Sequence, residues 1–187
     1  ATRDLIAIRN DSGLDDFQNS FATQVKKAIE QDHITIGLGG GHEIAYAHYL
    51  GLFNSKKYQN KNIGIINIDA HFDLRAKPQR NSGTPFLDIY NLLESANKKF
   101  NYLVFGIQEQ ANSQELFNTA KRIQTQYVLA KDMLIERHLE QSLEVLDNFI
   151  ENQKIDKIYL TVCLDAFSAS IAPGVSAPQS MGLFPEH

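Results

Sequence analysis

A single cysteine, Cys163, among 187 residues excludes an internal disulfide framework and fits a reducing compartment. No apolar run reaches the roughly 18 residues of a membrane helix, and no signal-peptide pattern opens the chain, so the expectation is a soluble, cytoplasmic protein without membrane contact. Basic blocks are missing too. The 18 Lys and Arg stand against 22 Asp and Glu, a net charge of −4, with no cationic run to suit nucleic acid. The glycines Gly39, Gly40 and Gly41 are not followed by Lys-Ser/Thr and lack the Gly-x-Gly-x-x-Gly spacing, which argues against a phosphate-cradling loop. There is no internal repeat and no low-complexity segment. What remains is a chain long enough to bury one real core.

The stretch from Asn62 to Arg75, N-I-G-I-I-N-I-D-A-H-F-D-L-R, organises the rest. Its branched, apolar start reads as a buried strand, and Asp69, His71 and Asp73 at its end are polar groups that burial would leave in need of partners. In extended backbone, residues at i, i+2 and i+4 share a face, so the two carboxylates and the imidazole converge as metal ligands do. Any one of them alone is more simply a cap or a solvated loop residue. Two further apolar runs end alike: 34–38 breaks into the three glycines before His42 and Glu43, and 158–164 runs into Asp165. Three such ends meet most simply at the carboxyl edge of one parallel sheet.

In chain order, 1–10 suggests an edge strand or a loop tail, and Phe17, Phe21, Val25 and Ile29 form a helical stripe after a turn at 11–13. A helix over 43–52 should pack Tyr46, Tyr49 and Leu50, with His48 structural. The loop 74–85 is long and polar, the usual carrier of specificity. An amphipathic segment over 86–100, a strand over 102–107, a helix around 114–120 and a short strand over 127–130 follow. The longest helix, 134–150, places Leu139, Leu143, Leu146 and Ile150 on one face, with His138 beside them at the core edge. Strands alternating with helices imply an α/β fold, a mainly parallel sheet covered by helices on both sides.

Gly39-Gly40-Gly41-His42-Glu43, Asp69-Ala70-His71-Phe72-Asp73, and Thr161-Val162-Cys163-Leu164-Asp165 followed by Pro173-Gly174 and Gly182 resemble, in order, the three signatures of the arginase/agmatinase (ureohydrolase) family. Asp73-Leu74-Arg75, Asn81-Ser82-Gly83-Thr84-Pro85-Phe86 and Ala172-Pro173-Gly174-Val175-Ser176-Ala177-Pro178 are more similar to its formimidoylglutamase branch. The resemblance spans nearly the whole chain and implies a three-layer α/β/α, arginase-like fold. Because that family fold is substantially longer, residues 1–187 read as a single catalytic domain incomplete at both ends.

The resemblance implies a pair of manganese ions, with His42, Asp69 and Asp73 holding one and Asp69, His71 and Asp165 the other. Oxygen-rich ligation suits manganese. It further implies catalytic roles for Asp73 and His71, Asp73 moving a proton to the leaving nitrogen. Cys163 departs from the pattern, which carries aspartate there. A thiolate ligand, an empty ligand position and a site holding fewer ions remain alternatives; a thiolate would tilt selectivity toward zinc or iron. Ser82, where arginase and agmatinase patterns carry histidine, favours an amidine substrate, and Arg75, Asn81 and Ser82 are the candidate substrate contacts. A guanidinium at Arg75 suits a substrate carboxylate, although a plain loop cation is the blander reading. The expected reaction is hydrolysis of N-formimidoyl-L-glutamate to L-glutamate and formamide. Hydrolysis of another guanidino or amidino acid, or an inactive metal-binding relative, are the alternatives. The expected partner is a small amidine, with a homo-oligomer possible.

Overall fold

The run after Asn62 forms the first strand, β1 (Ile63–Ile68), joined by β2 (Asn101–Ile107), β3 (Gln126–Leu129) and β4 (Lys157–Val162) in the order β3-β2-β1-β4, every neighbour parallel. This computed structural model describes residues 13–134 and 136–187, the side chains of 136–138 excepted. The expected edge element within 1–10 and the side chain of His138 lie outside the described residues. β1 and β2 are buried on both faces along nearly their whole length, as inner strands of a helix-covered parallel sheet must be.

Six α-helices lie among the described residues: α1 (Leu14–Glu30), α2 (Ile44–Phe53), α3 (Pro85–Ser95), α4 (Gln114–Arg122), α5 (Ala130–Met133) and α6 (Glu136–Gln153). On one face, Tyr49 of α2, Phe86 and Ile89 of α3 and Leu116 of α4 pack on Ile65, Tyr102, Val104 and Tyr159. On the other, Ala130 and Met133 of α5 and Phe149 of α6 cover Ile66, Leu103, Phe105 and Val128. The result is a three-layer α/β/α sandwich. Helix α1 lies outside α2 at close range: a Cβ on Gly51 would sit 2.6 Å from the Ala22 carbonyl oxygen, so the crossing depends on a residue without a side chain.

Three expectations need correction. Residues 34–38 form no strand and pair with none among the described residues. Their inward side rests on α2, where Thr35 Oγ1 lies 2.8 Å from His48 Nε2, and Ile34, Ile36 and Leu38 are 94%, 83% and 84% exposed. A β-segment gains regular structure only from a neighbour's backbone, and composition cannot supply one. On α6, Leu143 is exposed while Ser142 and Phe149 are buried, so the buried stripe is rotated from the one the leucines suggest. In α1, Gln18, Ala22, Val25 and Ile29 form the buried stripe, with Phe17 and Phe21 half-buried at its margin.

Phe86 is the pivot between this core and the sheet's carboxyl edge. It is fully buried, stacks on Tyr102 at 4.5 Å between ring centroids and meets the His42 ring edge-on at 5.3 Å. Phe86→Ala is expected to lose about 3–5 kcal/mol of unfolding free energy, the usual cost of emptying a closed aromatic site. Urea denaturation followed by circular dichroism measures it, and a loss under about 1 kcal/mol would mean that the site collapses freely.

Candidate metal centre

The polar groups at the sheet's carboxyl edge converge by bending of the chain rather than by simple alternation along strands. β1 ends at Ile68, and the next residue still donates its amide to Phe105 O at 2.8 Å. The chain then turns: Asp69 Oδ1 accepts the His71 amide at 2.8 Å, and Asp73 adopts a left-handed φ of 49°, a conformation that short polar residues tolerate better than others. Extended i, i+2, i+4 geometry therefore does not hold for Asp69, His71 and Asp73. Nor does it hold for Cys163 and Asp165. β4 stops at Val162, Cys163 still donates its amide to Ile68 O at 2.9 Å, and Asp165 lies in a one-turn 3₁₀ helix, Leu164–Ala166.

Two groups of potential ligands result, with donor atoms within 4.8 Å of one another in each: His42, Asp69 and Cys163, and Asp69, His71 and Asp165. Asp69 belongs to both. His42 Nδ1 lies 2.9 Å from Asp69 Oδ2 and 2.9 Å from Asp73 Oδ2, which adds Asp73 to the first group. His71 Nδ1 lies 3.1 Å from Asp165 Oδ2 and 3.5 Å from Asp69 Oδ1. His42 is aimed from its far side, where Nε2 lies 2.9 Å from Thr161 Oγ1 of β4. An imidazole fixed through one nitrogen presents the other as a ligand.

The electrostatics are those of anionic groups packed together out of water. Burial alone would lower the His42 pKa, but the Asp69 and Asp73 carboxylates overcome it and push it up to about 12. The His71 pKa rises to about 10 through its contacts with Asp165 and Asp69, against burial. Burial and the neighbouring Asp69 charge push Asp73 up to about 7. Burial would raise Asp69 likewise, yet the two imidazoles hold it below the usual carboxylate range. Burial also pushes the Cys163 thiol up to about 11, opposed by His42.

These residues fit a divalent cation pair. Among the described residues, His42 Nδ1 and Asp165 Oδ1 are buried atoms with no hydrogen-bond partner; His42 Nδ1 is close to two carboxylates without the angles of a hydrogen bond. Orphaned buried donor atoms are costly unless something else meets them, and a carboxylate shared between two imidazole-bearing groups is a bridging ligand in waiting.

The candidate substrate contacts lie on the loop 74–85, and none belongs to either ligand group. Arg75 is exposed, its amide bonded to Gly83 O at 2.9 Å. Its stem crosses Gly83, where a Cβ would lie 2.9 Å from Arg75 Cδ. Asn81 shapes the loop itself, accepting the Gly83 amide at 3.0 Å and donating to Gln79 O at 3.2 Å. Ser82 is exposed beside it.

Four supporting residues escaped the reading of the sequence. Asn67 donates to Asp69 Oδ2 at 3.1 Å and to the Tyr102 hydroxyl at 3.0 Å. That hydroxyl in turn donates to Phe72 O at 3.1 Å. Asn112 accepts the Phe72 amide at 3.1 Å and donates to Ala70 O at 2.9 Å, clamping the backbone on either side of His71. Thr161 orients His42. Asn67 and Thr161 carried a usable signal, each being a lone polar side chain inside an apolar strand run; Tyr102 and Asn112 carried none.

Parallel α/β/α architecture with two ligand groups sharing a carboxylate at the sheet's carboxyl edge defines the metal-centre class. The chain belongs to the Arginase family, whose sequence pattern matches residues 4–187. It is similar to formimidoylglutamase of Legionella pneumophila (strain Lens), 44% identical over 171 residues that cover 90% of this chain and 51% of that protein. In fold it is similar to a crystal structure of formimidoylglutamase from Bacillus subtilis, with a TM-score of 0.79, 22% identity, and 95% of this chain against 54% of that one. An arginase structure from Bacillus cereus aligns with a TM-score of 0.70 at 23% identity, covering 90% and 60%. The chain thus spans about half the length of the curated relatives it matches. No helix among the described residues is long and apolar enough to cross a membrane.

Raised imidazole pKa values have a consequence for metal uptake. Protons and cations compete for His42 and His71, so affinity should climb as pH rises toward about 10, the His71 value. Without metal, the His71 pairs add stability that is complete below the ordinary value of 6.5 and fades as pH rises through about 10. Saturating the metal-free protein with manganese chloride at pH 8 should release about two protons. Calorimetry in buffers of different ionisation enthalpy counts them, and zero release would show both imidazoles already neutral.

Proposed function

We propose that the protein of this chain hydrolyses N-formimidoyl-L-glutamate to L-glutamate and formamide. The observation that carries the reading is the pair of ligand groups joined by Asp69, on a chain whose relatives include formimidoylglutamases at 44% identity. His42, Asp69 and Asp73, with Cys163 beside them, would hold one ion and Asp69, His71 and Asp165 the other, and manganese would suit a set dominated by oxygen. When bound, the cations supply Lewis acidity and bring the ionisation of water toward neutral pH. Water oxygen bonds to the formimidoyl carbon, the bond from that carbon to the glutamate nitrogen breaks, and the nitrogen leaves as an amine after gaining a proton. Asp73, 2.9 Å from the His42 ring nitrogen, carries that proton to the leaving nitrogen. Asn67, Tyr102 and Asn112 keep the ligand loop from moving while it does so.

Substrate choice falls to the loop 74–85. The exposed Arg75 guanidinium binds a substrate carboxylate in bidentate fashion, and Asn81 and Ser82 line the approach. Turnover of formimidoylglutamate, guanidinobutyrate, agmatine and arginine by the protein with manganese tests the assignment, with formamide or urea as readout. Arg75→Ala should lower kcat/KM for formimidoylglutamate with unchanged metal content, by the equivalent of about 2–5 kcal/mol if the bound substrate takes the ion pair out of water. Arginine as the preferred substrate would overturn the reading.

A second reading, a metal-binding protein without turnover, rests on Cys163. Its thiol lies among His42 and Asp69 and is pushed up to about 11 by burial, so without a cation it stays neutral where the pattern has a carboxylate. Cys163→Asp should keep the fold and tighten manganese binding, because a hard anionic ligand replaces a soft one. Cys163→Ala separates ligand from bystander: reduced metal content marks a ligand, parent-like content a bystander. Equal affinity and rate in all three proteins would place position 163 outside the centre.

A further inference from the structure

The loop 74–85 carries two guanidinium groups, and their surroundings differ. Arg75 forms no ion pair among the described residues, whereas Arg80 is held from several sides. Its Nη1 donates to Asp15 Oδ1 at 2.9 Å, in the first turn of α1, and its Nη2 donates to the Tyr46 hydroxyl of α2 at 3.4 Å. The guanidinium carbon lies 4.5 Å from the centre of the Tyr46 ring, and Nε is 3.9 Å from Asp88 Oδ2 of α3. One side chain of the loop thus meets three helices.

The other hydrogen bonds around it close within the loop. Arg75 donates its amide to Gly83 O, Asn81 donates its amide to Thr84 Oγ1 and accepts that of Gly83, and Thr84 donates its amide to Asn81 O. Among the described residues, Arg80 makes every hydrogen bond and ion pair that joins a side chain of 75–83 to a helix. Its anchor points are firm. Tyr46 is buried in the first turn of α2, a helix that starts just past His42, and α1 is seated on α2 by the close approach at Gly51. Asp88 accepts the Thr84 hydroxyl at 2.8 Å on the helix whose Phe86 meets the His42 ring. Through Arg80 the loop is fixed relative to the helices that touch or follow a metal ligand.

We infer that Arg80 is the positioning residue of the substrate loop: it seats 74–85 on α1 and α2, so that Arg75, Asn81 and Ser82 meet the substrate in one arrangement, an inference that rests on the role proposed above for this loop. An exposed ion pair is weak by itself. A planar guanidinium, however, meets Asp15, the Tyr46 ring and hydroxyl, and Asp88 together, and its side-chain freedom is lost once for all of them. Lysine can match only part of that. With Arg80 removed, the loop samples other positions, and apparent affinity falls with the fraction of molecules whose loop is in place. Substrate that does bind selects the seated loop, so KM rises while kcat holds.

Kinetics of the manganese-loaded protein with formimidoylglutamate, guanidinobutyrate, agmatine and arginine test this. Arg80→Ala should raise KM about fivefold or more for the substrate that turns over, with kcat within about twofold of the parent and metal content unchanged. Arg80→Lys should recover part of the loss, and Asp15→Asn should reproduce part of it from α1. Lys77→Ala removes an exposed cation of the same loop that has no ion pair among the described residues, and it should change nothing. Hydrogen exchange read by mass spectrometry should quicken across 74–84 in Arg80→Ala, where the amides of Arg75, Asn81, Gly83 and Thr84 are bonded. An unchanged KM, a loss of metal, an equal effect from Lys77→Ala, or exchange that Arg80→Ala leaves as it was would each overturn the inference. Preference for arginine, or no turnover at all, would sink the proposed function instead, and exchange across 74–84 would still decide for or against Arg80.

Discussion

The sheet's carboxyl edge depends on one buried charge. Asp69 is fully inaccessible, and an isolated carboxylate in such a place would take up a proton or unfold its surroundings. Two imidazoles prevent that, one from a glycine-rich loop and one from its own turn, and Asn67 adds a neutral donor. The glycine-rich loop, distant in sequence, must therefore arrive at this turn for the buried charge to be tolerable. The same requirement makes the carboxylate a shared ligand rather than a local cap.

Around that charge the support is polar but orderly. Tyr102 and Asn112 hold backbone atoms rather than ligand side chains, so they fix the path of 70–72 and leave the donor atoms free. The loop 74–85 follows a different logic. Its own hydrogen bonds, centred on Asn81 and Thr84, shape it into a turn, and its charged and hydroxyl groups at Arg75 and Ser82 face solvent.

Local pattern made part of this legible. The branched run into Asp69, His71 and Asp73 announces a buried strand ending in ligands within fourteen residues, and the parallel, helix-covered sheet follows from the alternation of elements. Distant relationships were not legible. Tyr102 and Asn112 matter because β2 lies in register with β1 and its following loop folds over 70–72, information held by no short window. The residues 34–38 have a strand's composition but acquire a ladder only from a neighbour, and the helical stripe of α6 turned because Phe149, a larger residue than Leu143 or Leu146, took the deepest position. Cys163 stood out by resemblance alone; chemically it reads as an ordinary half-buried thiol.

The contact between His42 and Thr161 joins two things otherwise separate. His42 follows the three glycines, Thr161 lies near the end of β4, and their hydrogen bond ties the glycine-rich loop to the sheet like a clasp. Any shift of that loop against β4 moves an imidazole that lies 2.9 Å from both Asp69 and Asp73. Ligand precision is in this sense a mechanical readout of how firmly the loop is held to the strand.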